Sequence, residues 1–410
     1  MFNARELQKK YGSPLYVYMK EVLDTRCMKM KAFGNEVKNN LPSGIEVSLH
    51  YSTKANANPF VLKTVRKHGL KVDCMSMGEL DINEKSCFTP SEMLYVCNNI
   101  KAEEMIEVHD RVSLMCLDSI SQVETYGKNF PGTELMVRIN TGTEGVGHSE
   151  KVKTSGKDTK FGISEKNFEE LFEVVEKYNL RIVGIHQHLG SLFLNNKIPD
   201  YINGVKSGLH MIKKYFKDVK IVDLGGGFGV PYELGEEELD LSLVAHLLNP
   251  ILNEFVSGYH SVREFKFEPG RYIPCEAGYL VGEVTAVKDG YIGTNIGMGM
   301  LVRPSMYDSY HEITLPESNG ELVTVKFCGD ICESGDILGK NRTVKLPKVG
   351  EPVVVHNAGA YGFSMASNYT GRTRPAEVLV LPNGETKLLR KAETIEDMTR
   401  NICWENINSL

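Results

Sequence analysis

Two short runs of residues bring together side chains that could do covalent chemistry. Lys54 lies in the run Tyr51–Asn58, at the end of a β-prone stretch, and Cys332 and Glu333 stand side by side far downstream. An amine at a strand end can be desolvated, lose its proton and attack a carbonyl carbon. A thiol next to a carboxylate offers a proton donor and a negative charge in one loop. Most lysines are surface residues and most single cysteines are small buried hydrophobes, so both runs need support from the rest of the chain.

Two further runs suit a phosphorylated cofactor. Gly225, Gly226 and Gly227 follow the mostly apolar run Ile221–Leu224, where successive backbone N–H groups can surround a phosphate. A glycine triplet alone often marks only a tight turn. Glu268 opens the run Glu268–Arg271, and a buried carboxylate there would keep a pyridine nitrogen protonated, although a structural ion pair with Arg271 is the alternative. Together with Lys54, these runs suggest pyridoxal phosphate.

His188 and Arg303 are weaker candidates. A flat imidazole at a strand end can stack on a cofactor ring, although His188 taken alone is equally well a hydrogen-bonded core histidine. The planar guanidinium of Arg303 matches a carboxylate, although a surface loop arginine is the simpler interpretation. The nine cysteines show neither a disulfide framework nor the spacing of a metal site, so we expect no metal.

An alternation of strands and helices from about residue 46 to 271 would position these residues. The eight strand-like runs are Glu46–Lys54, Leu70–Ser76, Met93–Asn98, Val112–Asp118, Glu134–Asn140, Arg181–Gly190, Val219–Gly227 and Phe265–Arg271. The helix-like stretches include Pro59–Lys67, Ser119–Lys128, Ser164–Tyr178 and Tyr201–Lys217, with Ser164 expected to cap the third. This α/β alternation predicts a parallel sheet, and eight units predict closure into a TIM-type (β/α)8 barrel. Lys54, His188, Gly225–Gly227 and Glu268–Arg271 fall at the carboxyl ends of these strands, where such barrels carry their chemistry.

The chain after about residue 280 predicts a mainly β domain, expected to be Greek-key-like. Its β-prone runs, divided by glycine, asparagine and proline, are Leu280–Val287, Val323–Cys328, Pro352–Val355 and Glu377–Leu381. Pro14–Met19 is also strand-like and is expected to pair with this domain. The predicted domains are therefore 25–280 for the barrel, and 1–24 with 281–410 for the β domain.

The composition and charge of the chain argue against nucleic acid and membranes as partners. A chain of 410 residues with 41% hydrophobic content can bury a large core. A net charge of -6 provides no general attraction to nucleic acid or to an anionic membrane. The first ten residues are polar, and no run approaches the ~20 apolar residues of a membrane span. We expect a cytoplasmic protein that acts on a small molecule, with no nucleic-acid or membrane partner.

At these residues the sequence resembles the pyridoxal-phosphate decarboxylases of the alanine-racemase-like barrel fold, and most of all their diaminopimelate decarboxylase branch. The resemblance spans nearly the whole chain. Its most specific runs are Tyr51–Asn56, Gly225–Gly227, Glu268–Arg271, Arg303–Tyr307, Cys332–Asp336, Gly359–Gly362 and Ser364–Tyr369. The last run continues through Arg372 and Arg374–Val378, and it separates this family from racemases, whose second domain differs.

The resemblance implies a role for each matching residue. Lys54 would be the Schiff-base lysine, His188 the ring-stacking residue and Glu268 the partner of the pyridinium nitrogen. Cys332 would protonate the product carbanion. In the family, the residues matching Cys332 and Glu333 reach the site of the opposite subunit, which implies a homodimer with shared active sites. The residues implied to bind the phosphate are Gly225, Gly226, Gly227, Gly270 and Arg271. Those implied to hold the distal end of the substrate are Arg271, Arg303, Tyr307 and Glu333. Tyr361 is implied to contact both the cofactor and the substrate.

The resemblance also implies the reaction, which is decarboxylation of meso-2,6-diaminopimelate to L-lysine and carbon dioxide, the last step of lysine biosynthesis. The chain departs from the family pattern at Gly299-Met300, Asn295, Asp330 and Thr370–Thr373. Alternatives are a decarboxylase of another diamino acid or polyamine precursor (ornithine, arginine or carboxynorspermidine) and a non-catalytic homologue that binds pyridoxal phosphate. A racemase would need a second base, for which no motif is present. Whether residues 142–160 form a lid stays open.

Overall fold

The computed structural model describes residues 2–143, 146–147, 155–156 and 159–407. The chain divides into two compact units. The barrel unit comprises Asp24–Pro231 and Gly235–Ile273, and the β unit comprises Met1–Leu23, Tyr232–Leu234 and Pro274–Leu410. The stretch 142–160, for which a lid was considered, lies largely outside the described residues.

The helices are α1 (Ala4–Tyr11), α2 (Lys20–Asn39), α3 (Pro59–Lys67), α4 (Met77–Lys85), α5 (Ala102–Val108), α6 (Ile120–Asn129), α7 (Phe168–Lys177), α8 (Ile198–Tyr215), α9 (Leu241–Gly258), α10 (Arg303–Tyr307), α11 (Ile395–Thr399) and α12 (Trp404–Ile407). The strands are β1 (Leu15–Met19), β2 (Glu46–Ser52), β3 (Lys71–Cys74), β4 (Met93–Val96), β5 (Leu114–Leu117), β6 (Glu134–Asn140), β7 (Val146–Gly147), β8 (Ile163–Ser164), β9 (Arg181–His186), β10 (Gly190–Ser191), β11 (Ile221–Asp223), β12 (Glu264–Phe267), β13 (Gly278–Lys288), β14 (Tyr291–Thr294), β15 (Ile313–Thr314), β16 (Leu322–Cys328), β17 (Ile337–Lys345), β18 (Pro352–Val355), β19 (Ala376–Val380) and β20 (Thr386–Arg390). No helix in the described part of the chain is both long and apolar enough to cross a bilayer.

Eight parallel strands of the barrel unit form a closed sheet in the order β5, β4, β3, β2, β12, β11, β9, β6, and the pairing of β5 with β6 closes it. The predicted barrel and its eight strands are confirmed. Seven of the eight strands end earlier than the sequence pattern indicated, so Lys54, His188 and the glycine triplet lie in the loops that leave the carboxyl edge.

The helices of the barrel unit agree with the sequence pattern except at the start of α7. In α3 the side chain of Asn58 accepts from the N–H of Phe60, and a proline occupies the first turn, as capping chemistry predicts. The prediction that Ser164 caps α7 is right in position and wrong in its hydrogen bond. Ser164 ends the short strand β8 and precedes the 3-10 turn Glu165–Asn167, which leads into α7 at Phe168, but its side chain makes no capping hydrogen bond.

The β unit is built on one mixed sheet. Its main path runs in the order β17, β16, β14, β13, β1, β19, β20, with β18 on β13 and β15 on β18. The predicted pairing of the first strand with this domain is confirmed, since β1 pairs antiparallel with β13 and parallel with β19. Leu15 and Val17 of β1 pack against Val281 and Val378 in one apolar cluster, which removes the first strand from water.

Candidate active site

The carboxyl edge of the barrel carries a buried polar cluster. His186 and Asp223 end strands β9 and β11, Asp73 is the last residue but one of β3, and Glu268 directly follows β12. All four side chains are buried. Because the carboxyl ends of parallel strands meet at one edge, His186, Asp223 and Glu268 each place a nitrogen or oxygen atom within 4.8 Å of the others. Of the four, the sequence singled out only Glu268.

Glu268 is an ionised carboxylate inside this cluster. Its Oε2 lies 3.1 Å from Nε2 of His186. Burial alone would raise the pKa of Glu268, but the hydrogen bond and charge of His186 and the positive charge of Lys54 hold that pKa below its usual range. Burial lowers the pKa of His186, although the charge of Glu268 and its hydrogen bond act in the opposite direction.

Lys54 stands at the rim of the same edge. It lies in the 3-10 turn Thr53–Ala55 that directly follows β2, and 39% of its side chain is exposed. Its Nζ lies 3.9 Å from Oδ1 of Asp73, while Ser52 Oγ donates to the other oxygen of Asp73 at 2.6 Å. Burial raises the pKa of Asp73 to about 7, although the charge of Lys54 acts in the opposite direction. The lysine amine is therefore held beside a carboxyl group that can change its charge near neutral pH.

The glycine turn after β11 packs too closely for side chains. A Cβ at residue 225 would lie 2.4 Å from the carbonyl oxygen of Gln187, and one at residue 226 would lie 2.0 Å from that of Glu268. Gly225 and Gly227 also have φ values of +69° and +100°, which favour glycine. The N–H of Gly225 donates to Oδ1 of Asp223 at 2.9 Å, and that of Gly226 donates to Nδ1 of His188 at 3.1 Å. Two of the three amides expected at a phosphate therefore already have acceptors within the protein.

His188 and Arg271 lie in loops beside this turn. His188 is partly exposed, and burial lowers the pKa of its imidazole well below the usual range. A neutral ring that accepts the Gly226 N–H is held at a fixed place, as a stacking residue requires. Arg271 is buried, and its Nη2 donates to Ser191 Oγ at 3.2 Å. The carbonyl oxygen of Gly270 accepts from the N–H of Ile273 and closes the turn that carries Arg271.

The β unit holds Arg303 and Tyr307, two of the residues implied at the distal end of the substrate. Arg303, which begins helix α10, is only 1% exposed. Its guanidinium donates to Tyr232 Oη at 3.0 Å, to His311 Nε2 at 2.9 Å and to Ser309 Oγ at 3.3 Å. The interpretation of Arg303 as an ordinary surface arginine is therefore wrong. Tyr307, at the end of the same helix, is half-buried.

A buried aspartate shapes the loop that carries Cys332 and Glu333. Asp336 accepts the N–H of Met298 at 2.6 Å and that of Ile331 at 2.8 Å through its two carboxylate oxygens. Burial raises the pKa of Asp336. Cys332 and Glu333 themselves are exposed, so the loop presents a thiol and a carboxylate outward. Ser305 Oγ of α10 donates to the carbonyl oxygen of Gly335 at 2.7 Å, which joins this loop to the helix of Arg303.

Comparison with known proteins assigns the fold to a family. Residues 28–275 match the family described as pyridoxal-dependent decarboxylase, pyridoxal binding domain. The chain belongs to the pyridoxal-dependent decarboxylases. It is 32% identical to a diaminopimelate decarboxylase of Methanothermobacter thermautotrophicus, over 97% of this chain and 93% of that protein. The crystal structure of diaminopimelate decarboxylase from M. jannaschii in complex with L-lysine has a TM-score of 0.85 at 28% identity and covers 98% of this chain and 94% of that one. The diaminopimelate decarboxylase of Helicobacter pylori complexed with L-lysine has a TM-score of 0.82 at 26% identity, with full coverage of both chains.

The barrel edge fits the cofactor of this decarboxylase family. Among the described residues, Glu268 Oε1 and Asp223 Oδ2 are buried oxygens without a hydrogen-bond partner. A buried acceptor of this kind carries a free-energy penalty unless a donor meets it, and a protonated pyridine nitrogen is such a donor. His186, Asp223 and Glu268 could also ligate a metal ion by their donor types. The family match, which covers all three residues, favours the pyridine ring instead.

Sequence reasoning missed Asp73, His186, Asp223 and Arg138. Arg138 is buried on β6, with its guanidinium 4.5 Å from the ring centre of Phe161. His186 is the last residue of β9, so its position at a strand end is the signal that could have found it. Asp223 is the last residue of β11 and Asp73 the last but one of β3, so the search for polar residues at strand ends that selected Glu268 could have found both.

Proposed function

We propose that this protein decarboxylates meso-2,6-diaminopimelate to L-lysine and carbon dioxide, with pyridoxal phosphate as its cofactor. The observation that carries the proposal is the ionised carboxylate of Glu268, buried against His186 at the barrel edge that also carries Lys54. Identity of 32% over nearly the whole chain to a diaminopimelate decarboxylase supports this substrate over the other diamino acids.

Five groups of the barrel unit would hold the cofactor. The amine of Lys54 would bind its aldehyde carbon, His188 would lie against the ring, and Glu268 would face the ring nitrogen. The N–H of Gly227 and the guanidinium of Arg271 would contact the phosphate. When bound, pyridoxal phosphate supplies a conjugated ring that accepts the electron pair left behind by carbon dioxide. Glu268 contributes by keeping a proton on the ring nitrogen, because a nearby anion favours the charged form of that nitrogen.

The β unit would supply the grip on the far end of the substrate. Arg303 and Tyr307, together with Arg271, would bind the distal carboxylate, and Glu333 would bind the distal ammonium group. Tyr361, at a φ of +55°, would contact both cofactor and substrate. Holding both ends of the substrate fixes the orientation of the bond that breaks, which is how positioning lowers a barrier. Cys332 would then donate its thiol proton to the carbon that has lost carbon dioxide.

We further propose a homodimer in which the Cys332–Glu333 loop completes the site of the partner subunit. The outward position of both side chains supports this arrangement, since a proton donor open to bulk water could not select one face of a carbon atom. A cytoplasmic location and the absence of nucleic-acid or membrane partners stay predictions.

A carbon dioxide assay over a panel of amino acids tests the function. The purified protein with added pyridoxal phosphate should release carbon dioxide from meso-diaminopimelate and roughly 10⁴-fold more slowly from ornithine, because ornithine lacks the distal carboxylate that the site would bond. L-Lysine and arginine should behave like ornithine. Comparable turnover of ornithine would contradict the substrate assignment, and absence of carbon dioxide from every member of the panel would favour a non-catalytic homologue.

A further inference from the structure

A short turn in the β unit contacts the Cys332–Glu333 loop at two points. We call residues 368–372 the strap. The hydroxyl of Tyr369 donates to Oε1 of Glu333. Arg372 contacts Asp330 twice, with Nη1 3.1 Å from the Oδ2 atom of that residue and Nη2 donating to its carbonyl oxygen at 3.1 Å. The strap therefore holds the loop on both sides of Cys332.

The second contact combines an ion pair with a hydrogen bond to the backbone. Arg372 meets both the carboxylate and the carbonyl oxygen of Asp330, so one guanidinium fixes the side chain and the backbone of that residue. Asp330 lies three residues before Glu333, so the same contact limits the movement of the loop backbone that carries Glu333.

The strap is itself anchored. Asn368 Nδ2 donates to the carbonyl oxygen of Arg372 at 3.0 Å and to Oε2 of Glu393 at 2.7 Å. Arg374 donates to both carboxylate oxygens of Glu393, through Nε at 2.7 Å and through its backbone N–H at 2.9 Å. Burial alone would raise the pKa of Glu393, but these hydrogen bonds lower it to about 2, so this anchor stays ionised at all ordinary pH values.

The strap also holds a strained residue. Thr370 has a φ of +55° and a ψ of 25°, a left-handed conformation that a β-branched residue rarely adopts. Strain of this kind persists only where neighbouring contacts fix the backbone. The two loop contacts, one on either side of Thr370 in the sequence, are contacts that do so.

We propose that Tyr369 and Arg372 are positioning residues for the distal end of the substrate, acting through Glu333. This inference rests on the proposed function, in which Glu333 binds the distal ammonium group. Tyr369 fixes the rotamer of an otherwise exposed glutamate, so that the carboxylate is already oriented when the ammonium arrives. Arg372 fixes the backbone from which Glu333 projects. Neither residue touches the reacting carbon.

Equilibrium binding to the holoenzyme separates this role from a general structural one. L-Lysine carries the distal carboxylate and the distal ammonium of the proposed product, and 6-aminohexanoate is the same molecule without that ammonium. In Tyr369→Phe, we expect the Kd for L-lysine to rise about fivefold, the scale of one side chain that must be immobilised on binding. The Kd for 6-aminohexanoate should not change, since it makes no contact with Glu333.

Three further variants complete the test, one as a matched control and two at Arg372. Tyr215 also donates its hydroxyl to a surface glutamate, Glu165, so Tyr215→Phe removes a matched contact and should leave both Kd values unchanged. Arg372→Met should weaken L-lysine binding as Tyr369→Phe does, and Arg372→Lys should restore most of the affinity because one of the two contacts survives. In the steady state, Tyr369→Phe should raise KM for meso-diaminopimelate and leave kcat within about twofold.

The outcomes distinguish this inference from the proposed function. If the wild-type protein releases no carbon dioxide from meso-diaminopimelate, the proposed function fails and the inference fails with it. If the wild type is active but Tyr369→Phe binds L-lysine normally, the inference alone is overturned. An equal loss of affinity for L-lysine and 6-aminohexanoate would also overturn it, because that result indicates a general disturbance of the site.

Discussion

The backbone of Gly226 leaves no space for even a methyl group, which makes Gly226→Ala a demanding test of the barrel edge. A Cβ there would lie 2.0 Å from the carbonyl oxygen of Glu268. Carbon and oxygen ordinarily approach to about 3.3 Å, so one of the two backbones must move by about 1.3 Å. Overpacking against side chains costs about 1–3 kcal/mol, and a backbone obstacle yields less than a side chain does. We therefore expect a loss of at least about 3 kcal/mol in the free energy of unfolding.

The backbone that Gly226→Ala would displace also positions residues of the proposed cofactor site. Moving Glu268 or the N–H that His188 accepts would disturb the ring site, so the affinity for pyridoxal phosphate should fall together with stability. Urea unfolding of the apoprotein and titration with the cofactor, followed by visible absorbance, measure the two effects. Gly78→Ala is the matched control, because Gly78 lies in α4 with nothing nearer than 4.0 Å to its added Cβ, and it should gain about 0.5–1 kcal/mol. A Gly226→Ala protein with wild-type stability and cofactor affinity would refute the packing described for this turn.

Four further outcomes follow from the site. Lys54→Ala should abolish the visible absorbance of the bound cofactor, and an unchanged spectrum would exclude Lys54 as its partner. Cys332→Ala should keep the cofactor but lose about 10²–10⁴-fold in kcat, the scale of one general acid, and full activity would remove the proton-donor role. Because burial raises the pKa of Asp73 to about 7, folding favours its protonated form, so this group's contribution to stability declines as pH rises from about 4 to 7. Urea unfolding should show Asp73→Asn gaining on the wild type over that range, whereas a constant difference would contradict the shift. Thr370→Asn should raise the free energy of unfolding by about 1 kcal/mol because asparagine tolerates a left-handed backbone, whereas Thr373→Asn, outside that region, should not.

The sequence predicted the parts of this protein that local chemistry determines. Periodicity located all eight barrel strands. Helix α3 was predicted with its observed bounds, because neighbouring residues of the sequence determine both its cap and its apolar face. The start of α7 was predicted only in part, since Ser164 precedes a 3-10 turn that leads into the helix, makes no capping hydrogen bond and pairs through its backbone with Asn140. Local signals cannot report a pairing to a distant strand.

The same limit explains what was missed in the site. Glu268 could be selected by its place at a strand end, but its partner His186 lies 82 residues away, and only the closed sheet brings the two together. The contact between Asp330 and Arg372 spans 42 residues. Nothing in the sequence pairs these two residues, and their contact is visible only in three dimensions.

The position of β1 has a consequence for synthesis on the ribosome. Leu15 pairs with Val281, so the first strand of the chain is made 266 residues before its antiparallel neighbour (281 − 15 = 266). At roughly 5–20 residues per second, translation would leave that apolar segment waiting for roughly 13–53 s. An unpaired edge of this kind invites wrong associations. The nascent chain would therefore need either a chaperone or a temporary contact within the chain to cover β1 while the barrel residues are being translated.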